Sequence, residues 1–340
     1  MTEGGTPGPE SERNGNARSG TVQFRSEAPE SAQPWVGIAA NPGSGRGRGR
    51  RQVERLQAEL ERLGLSTRVA WSLEERSTLV AESAADPAGC RCLVAAGGDG
   101  TVAALVNEHP TVPITVLPAG TENLFARHFR LDRNPARLAS IIAAGSVAQL
   151  DLGLTTTRRF TLMAGIGFDA DVVARHHSTR VGRAGVARPT HRAAYVESVL
   201  RSSLEYRFPP LTLSITDPGA EETLVGATAF IFNLPRYALG LPFAPAARGD
   251  DGWLDLIVFR NAGPLQSLRY LWMVLRGIHL DRDGVEHRRV RRVVVTSAET
   301  VPVQLDGDPG GCVSPDGHPD GDWTVEVLPN AIEVLVPDGG

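Results

Sequence analysis

From Trp35 to about Gly145 the chain alternates short apolar runs with amphipathic stretches. The runs Val36–Ala40, Thr67–Trp71, Leu93–Ala96 and Ile114–Leu117 read as strands. Gly47–Leu63, Glu74–Ala85 and Val102–Asn107 read as helices, and a further helix starts after Asn123. Strand and helix in turn predict a parallel, doubly wound sheet, whose ligands bind at the carboxyl ends of the strands. Beyond Gly145 the texture changes to apolar–polar alternation over Gln149–Leu154, Arg159–Gly165, Leu211–Thr216, Ala227–Asn233, Leu254–Phe259, Arg292–Val295, Val301–Leu305, Trp323–Val327 and Ala331–Val336. Helical patterns interrupt it at about His191–Leu204 and Leu265–Gly277. The expected architecture is therefore α/β plus β: an N-terminal doubly wound α/β lobe over residues 34–145, and a C-terminal antiparallel β-sandwich lobe with helical inserts over 146–340. A cleft is expected between them. Residues 1–33, rich in Gly, Pro, Ser, Glu and Arg, read as a disordered tail.

Three glycine-bearing turns fall at strand carboxyl ends. Gly97-Gly98-Asp99-Gly100-Thr101 stands between a strand and a helix. Its glycines let the backbone approach a ligand, and the helix start offers free N–H groups to an anion. Asp99 could hold Mg²⁺ or take a proton, or Asp99 and Thr101 could simply cap the helix. Asn41-Pro42-Gly43-Ser44-Gly45, followed by Arg46, Arg48, Arg50 and Arg51, is a second phosphate-facing loop or a solvated surface loop. Pro118-Ala119-Gly120-Thr121-Glu122-Asn123 is the third, with Thr121 and Asn123 able to contact a nucleotide or to cap.

Two acidic turns lie in the second lobe. Gly249-Asp250-Asp251-Gly252-Trp253-Leu254-Asp255 suits a hairpin turn and a Mg²⁺ or Ca²⁺ site equally. Asp306 and Asp308, at the end of a strand, could form a turn or supply a general base for an alcohol. The histidines lie in Arg-rich or turn segments and read as solvated, and no Gly-x-Ser-x-Gly elbow supports acyl hydrolysis.

Composition removes several classes. All 35 basic residues of the 340 are arginine, so Walker A kinases, protein kinases, Schiff-base and pyridoxal enzymes, which need a lysine, are excluded. Arginine forks and backbone N–H groups can still bind phosphate. The net charge of −4 argues against a nucleic-acid partner. Three cysteines, Cys90, Cys92 and Cys312, give neither a disulfide framework nor a zinc pattern. With no secretory h-region and no apolar run of about 18 residues, the expectation is a soluble cytoplasmic protein.

Six motifs in order resemble the diacylglycerol kinase catalytic-domain superfamily, which includes bacterial soluble lipid kinases and sphingosine kinases. They are Asn41–Gly45, Gly97–Thr101, Pro118–Asn123, Gly165-Ile166-Gly167-Phe168-Asp169-Ala170, Asp251-Gly252-Trp253-Leu254-Asp255 and Asp306-Gly307-Asp308-Pro309. The resemblance runs from about Trp35 to Pro337. It implies an ATP- and Mg²⁺-dependent kinase for a lipid hydroxyl, with ATP on Asn41–Gly45, on Gly97–Thr101, and on Gly120, Thr121 and Asn123. It implies a structural Mg²⁺ at Asp251 with backbone carbonyls near Arg248 and Trp253. It maps the base to Asp308, where most relatives have Glu; the shorter side chain leaves Asp306 as an alternative. Leu124, where many bacterial relatives have Asp, and the Gly/Pro-rich segment 310–322 are further departures. Implied partners are a lipid with a free hydroxyl and a transient membrane contact at the inner face, through Arg175, Arg180, Arg183, Arg188 and Arg192; a homodimer is compatible. Two other readings compete: an NAD kinase-like enzyme, which also uses Gly-Gly-Asp-Gly-Thr, and a non-catalytic lipid-binding protein on the same fold.

Overall fold

A computed structural model describes residues 33–43, 49–180, 201–202, 205–217, 220–316 and 322–338. Residues 1–32 of the expected tail and most of the helix expected over His191–Leu204 lie outside them. In the first lobe the chain forms β1 (Trp35–Ala40), α1 (Gly49–Arg62), β2 (Ser66–Ala70), α2 (Leu73–Ala85), β3 (Cys90–Gly97), α3 (Asp99–Val106), β4 (Ile114–Pro118), α4 (Leu124–His128) and α5 (Pro135–Ala144). The strands are parallel in the order β2-β1-β3-β4, so β1, β3 and β4 end side by side. β1, β3 and β4 are buried almost throughout, as strands covered by helices on both faces must be, while the edge strand β2 is only partly buried.

Local chemistry sets the helix boundaries. Ser72 and Glu75 form a reciprocal capping box that opens α2. α5 starts with Asn134 as its cap and Pro135 in the first turn, and it stops at Gly145 (φ +74°). In α1 the buried residues Val53, Leu56 and Leu60 recur at three- and four-residue spacing.

The second lobe contains β5 (Val147–Thr155), β6 (Arg159–Phe160), β7 (Met163–Gly167), α6 (Phe168–Arg180), β8 (Leu211–Asp217), β9 (Ala220–Gly226), β10 (Thr228–Phe232), β11 (Leu254–Phe259), α7 (Pro264–Leu275), β12 (Val285–Val290), β13 (Arg292–Thr296), β14 (Val301–Leu305), β15 (Asp308–Val313) and β16 (Trp323–Leu335). Six of these strands form an antiparallel sheet, β12-β11-β10-β7-β14-β15. One face of it, with Ile166, Ile231, Leu256 and Val303, packs against Leu213, Val293, Trp323 and Val325 to make the sandwich core. The opposite face carries Phe230, Phe232 and Phe259, and meets α6, α7 and the first lobe.

The structure therefore has the expected N-terminal α/β lobe and C-terminal antiparallel lobe. It differs in how they join. Trp323–Val327 and Ala331–Val336 are two halves of one strand, β16, with a shift of register between Leu328 and Ile332 where Asn330 takes φ +48°. β16 pairs with β13 in the second lobe and runs parallel to β4 in the first, Val334 opposite Ile114. A ten-stranded sheet thus crosses both lobes.

Candidate active site

Because β1, β3 and β4 are neighbours, the three glycine-bearing turns emerge side by side. Asn41 N–H donates to Ala96 O, and the Asn41 side chain accepts from Gly43 N–H at 2.9 Å, which bends the chain with Asn41, Pro42 and Gly43 exposed. Ser44 and Gly45 lie outside the described residues. At the end of β3, Gly97 leaves room for Thr101: a Cβ on Gly97 would stand 2.1 Å from the buried Thr101 Oγ1. Gly98 and Gly120 press backbone to backbone, a Cβ on Gly120 falling 2.6 Å from Gly98 Cα. Thr121 is exposed beside them.

Two predicted site residues serve this framework. Buried Asn123 (φ +50°) accepts from Gly120 N–H at 2.8 Å and donates to Gly120 O at 2.9 Å, so its amide braces the third turn. Asp99, in the first turn of α3, accepts Phe125 N–H at 2.9 Å and so ties α3 to α4. Burial raises its pKa, and the backbone N–H groups around it oppose that rise.

The acidic pair divides. Asp306 (φ +54°) and Gly307 (φ +86°) form the left-handed turn between β14 and β15. The Asp306 carboxylate is buried and accepts four bonds: Thr161 N–H (2.8 Å) and O–H (2.9 Å), Leu162 N–H (2.7 Å) and Met163 N–H (3.1 Å). Burial raises its pKa against these bonds. Asp308, one residue past the turn, is half-buried and reaches the first lobe: its Oδ2 lies 3.2 Å from where a Cβ would stand on Gly100, in the first turn of α3. The two share a cleft of about 540 Å³ with Asn107, Thr155, Thr157 and Arg158. Arg158 Nη2 donates to Pro309 O at 3.1 Å and stands 3.5 Å from the carbonyls of Leu305 and Asp308, so it props the hairpin.

The chain matches the diacylglycerol kinase catalytic domain over residues 36–155 and the YegS C-terminal NAD kinase beta sandwich-like domain over 163–336. It is 30% identical over 267 residues to a diacylglycerol kinase of Mycobacterium tuberculosis, covering 76% of this chain and 81% of that one. The chain belongs to the diacylglycerol kinase family. A diacylglycerol kinase of Staphylococcus carnosus is 26% identical over 81% of this chain and 88% of its own length. A crystal structure of a diacylglycerol kinase from Bacillus anthracis str. Sterne shares the fold, with a TM-score of 0.62 at 17% identity over 91% of this chain and 99% of that one. This lipid kinase is thus a phosphotransferase with an alcohol group as acceptor. Among its described residues no helix is long and apolar enough to cross a membrane.

Within the Gly165–Ala170 motif the structure singles out Asp169, a residue to which the sequence alone assigns no role. Asp169 opens α6 close to the Asp306–Asp308 turn. It accepts from Gln304 Nε2 (2.9 Å) and Tyr237 O–H (3.2 Å), and burial pushes its pKa up to about 6. Gln304 Oε1 in turn accepts Gly307 N–H at 2.8 Å. One amide therefore links the hairpin to a buried carboxyl whose pKa lies well above the usual carboxylate range. The signal in the sequence was an acid after two glycines at a strand end; Gln304 and Tyr237 had none.

In the expected metal turn both oxygens of the Asp251 carboxylate are engaged by protein groups. Asp251 accepts Trp253 N–H at 3.1 Å through one oxygen and pairs with Arg289 at 2.6 Å through the other, while Arg248 pairs with Asp250 at 3.0 Å. Buried Asp151 holds the turn from below, accepting from Gly252 N–H and Asn330 N–H, each at 2.7 Å. No group of three or more His, Cys, Asp or Glu side chains gathers as a metal site among the described residues. Arg175, expected to face headgroups, pairs with Asp171 at 2.7 Å and with Glu205. Arg183, Arg188, Arg192 and the side chain of Arg180 lie outside the described residues.

Proposed function

We propose that the protein transfers the γ-phosphoryl group of ATP, supplied as its Mg²⁺ complex, to the hydroxyl of a lipid such as a diacylglycerol or a sphingoid-like alcohol. The observation that carries this reading is the placement of Asp308 against Gly100. A carboxylate from one lobe stands at the amino end of a helix from the other, where a phosphate would be held. In this reading the N–H groups at the amino end of α3, around Gly98 and Gly100, with Arg50 and Arg51 in the first turn of α1, hold the triphosphate in place of lysine. The turns at Gly43 and Gly120, braced by Asn41 and Asn123, shape the floor beneath it. Mg²⁺, when bound to the nucleotide, neutralises charge between the phosphates. Asp308 accepts the proton of the hydroxyl as its oxygen bonds to the γ-phosphorus and the bridging oxygen leaves with ADP. Asp306, with both oxygens occupied, fixes the hairpin that presents Asp308. Arg158 steadies the same hairpin from the cleft.

The test is phosphate transfer from labelled ATP to a total lipid extract, repeated with Asp308→Asn. Lipid-dependent transfer, lost in the variant, supports the reading. Transfer to NAD instead of lipid would establish the NAD kinase-like reading, and lipid binding without any ATP turnover a non-catalytic one. Mass spectrometry of the labelled lipid then identifies the acceptor.

A further inference from the structure

Nine large apolar side chains are exposed among the described residues, and five of them sit on α7 alone: Leu265, Leu268, Leu271, Trp272 and Leu275. At about 100° per residue these five fall within an arc of about 120°. The buried residues Tyr270, Met273 and Val274 fall on the other side, against the sheet. The helix is apolar on both faces, yet only one is covered, and a patch of this kind marks a docking surface. Leu265 is 80% exposed, Leu275 59% and Trp272 53%.

The chemistry around the patch selects its partner. α7 contains no acidic residue, and Arg269 and Arg276 follow one another two turns apart along one border of the apolar arc. Both are exposed, and Arg276 lies over the Trp272 ring at 5.6 Å. An apolar strip bordered by arginine, with a tryptophan at the boundary, is the pattern of a helix lying in the plane of an anionic bilayer. A symmetric contact between two copies of α7 would bring arginines together with no carboxylate on the helix to offset them.

The position of α7 also matters. Tyr270 stacks on Phe259 at 4.4 Å, and the aromatic layer continues through Phe230, Phe243 and Tyr237 to the Asp169 carboxyl. α7 and Asp169 therefore lie on the same face of the six-stranded sheet. We propose that α7 is the membrane-docking element: its five exposed apolar side chains enter the acyl boundary of an anionic phospholipid surface, while Arg269 and Arg276 meet lipid phosphates. This extends the lipid-kinase reading by stating where the substrate's membrane is met.

The test is co-sedimentation of the full chain, without ATP, with vesicles of phosphatidylcholine alone or mixed with phosphatidylglycerol. The intact chain should bind the mixed vesicles at least tenfold more tightly. Leu268→Ser with Leu275→Ser should weaken binding to both vesicle types by tenfold or more. Arg269→Gln with Arg276→Gln should remove about tenfold of the preference for the mixed vesicles. Tryptophan emission should shift to the blue on vesicle addition, and Trp272→Phe should abolish that shift. All these positions are exposed, so thermal midpoints should stay within about 2 °C of the parent's. Unchanged vesicle binding in the leucine pair overturns the proposal. So does a dimer in solution that the leucine pair converts to monomer while vesicle binding persists, since the face then belongs to a second copy. Turnover of a soluble short-chain alcohol acceptor separates the two readings: the leucine pair should retain it, and its absence in the parent chain would count against the kinase assignment alone.

Discussion

Asp306 and Asp308 stand two residues apart and answer to different forces. The buried carboxylate of Asp306 is held by four donors, so it holds the strand end in place and has no free lone-pair direction for a substrate. Asp306→Asn would turn an NH₂ toward two N–H donors or toward a hydroxyl and an N–H. The cost is about 2–4 kcal/mol, seen as a lower urea midpoint. Asp308→Asn makes no such conflict: its urea midpoint should stay with the parent's while turnover falls about 10²–10⁴-fold. A large loss of stability in Asp308→Asn, with none in Asp306→Asn, would reverse the assignments. Asp169 supplies a pH signature. Its folded pKa, about 6, exceeds the unfolded value of 3.8 because burial penalises the charge. The folded state therefore holds the proton between those values, and stability is lost as pH rises through that window. Asp169→Asn removes the titration, so its stability relative to the parent should improve from pH 4 to pH 7 by up to about 3 kcal/mol and then level off. Urea titrations of both proteins at three pH values measure the difference; a flat difference would sink the assignment.

At the scale of elements, what was legible followed from local patterning. β1–β4, α1–α3 and the helix at Pro264–Leu275 carry their period in their own residues, whereas α5, opened by Asn134 and Pro135, stands apart from the single helix expected after Asn123. β9, β12 and β15 were not foreseen, because their residues are largely charged or glycine-rich and earn their place by pairing with β8, β11 and β14. α6 was missed too: its residues offer little helical periodicity, and Asp169 and Asp171 in its first turn favour the helix end only once it exists. In the site, the three turns and Asp308 were readable as motifs. The division of labour within them was not, because whether Asn123 or Asp99 meets a ligand or a backbone N–H depends on residues brought in from α4 and Gly120. The Asp251 turn shows the same limit, since its partner Arg289 lies 38 positions away on β12. With Arg289 and the Trp253 N–H occupying its oxygens, the thermal midpoint of the nucleotide-free protein should be the same in EDTA as in millimolar Mg²⁺. A Mg²⁺-dependent rise of several degrees would show that the ion displaces Arg289.

At the scale of the whole molecule, β16 decides how the lobes behave. Composition and periodicity place a boundary near Gly145, but the last strand pairs with β13 and β5 and then lies beside β4. Thr115 O–H donates to Leu335 O, which fastens the end of β16 to the first lobe, and Ser146 O–H pairs with Asp338 at the join of the two lobes. A continuous sheet with buried side chains on both sides of the join should unfold as one unit. Val334, fully buried opposite Ile114, tests this. Val334→Ala removes methyl groups at the seam and should cost about 2 kcal/mol. If the lobes are coupled, native-state hydrogen exchange at Val116 in β4 and at Val293 in β13 should lose the same protection, although Val334 pairs with neither residue. If only the first lobe loosens while β13 keeps its protection, the lobes are separate folding units, and the cleft that sets Asp308 against Gly100 is a jointed contact between two bodies.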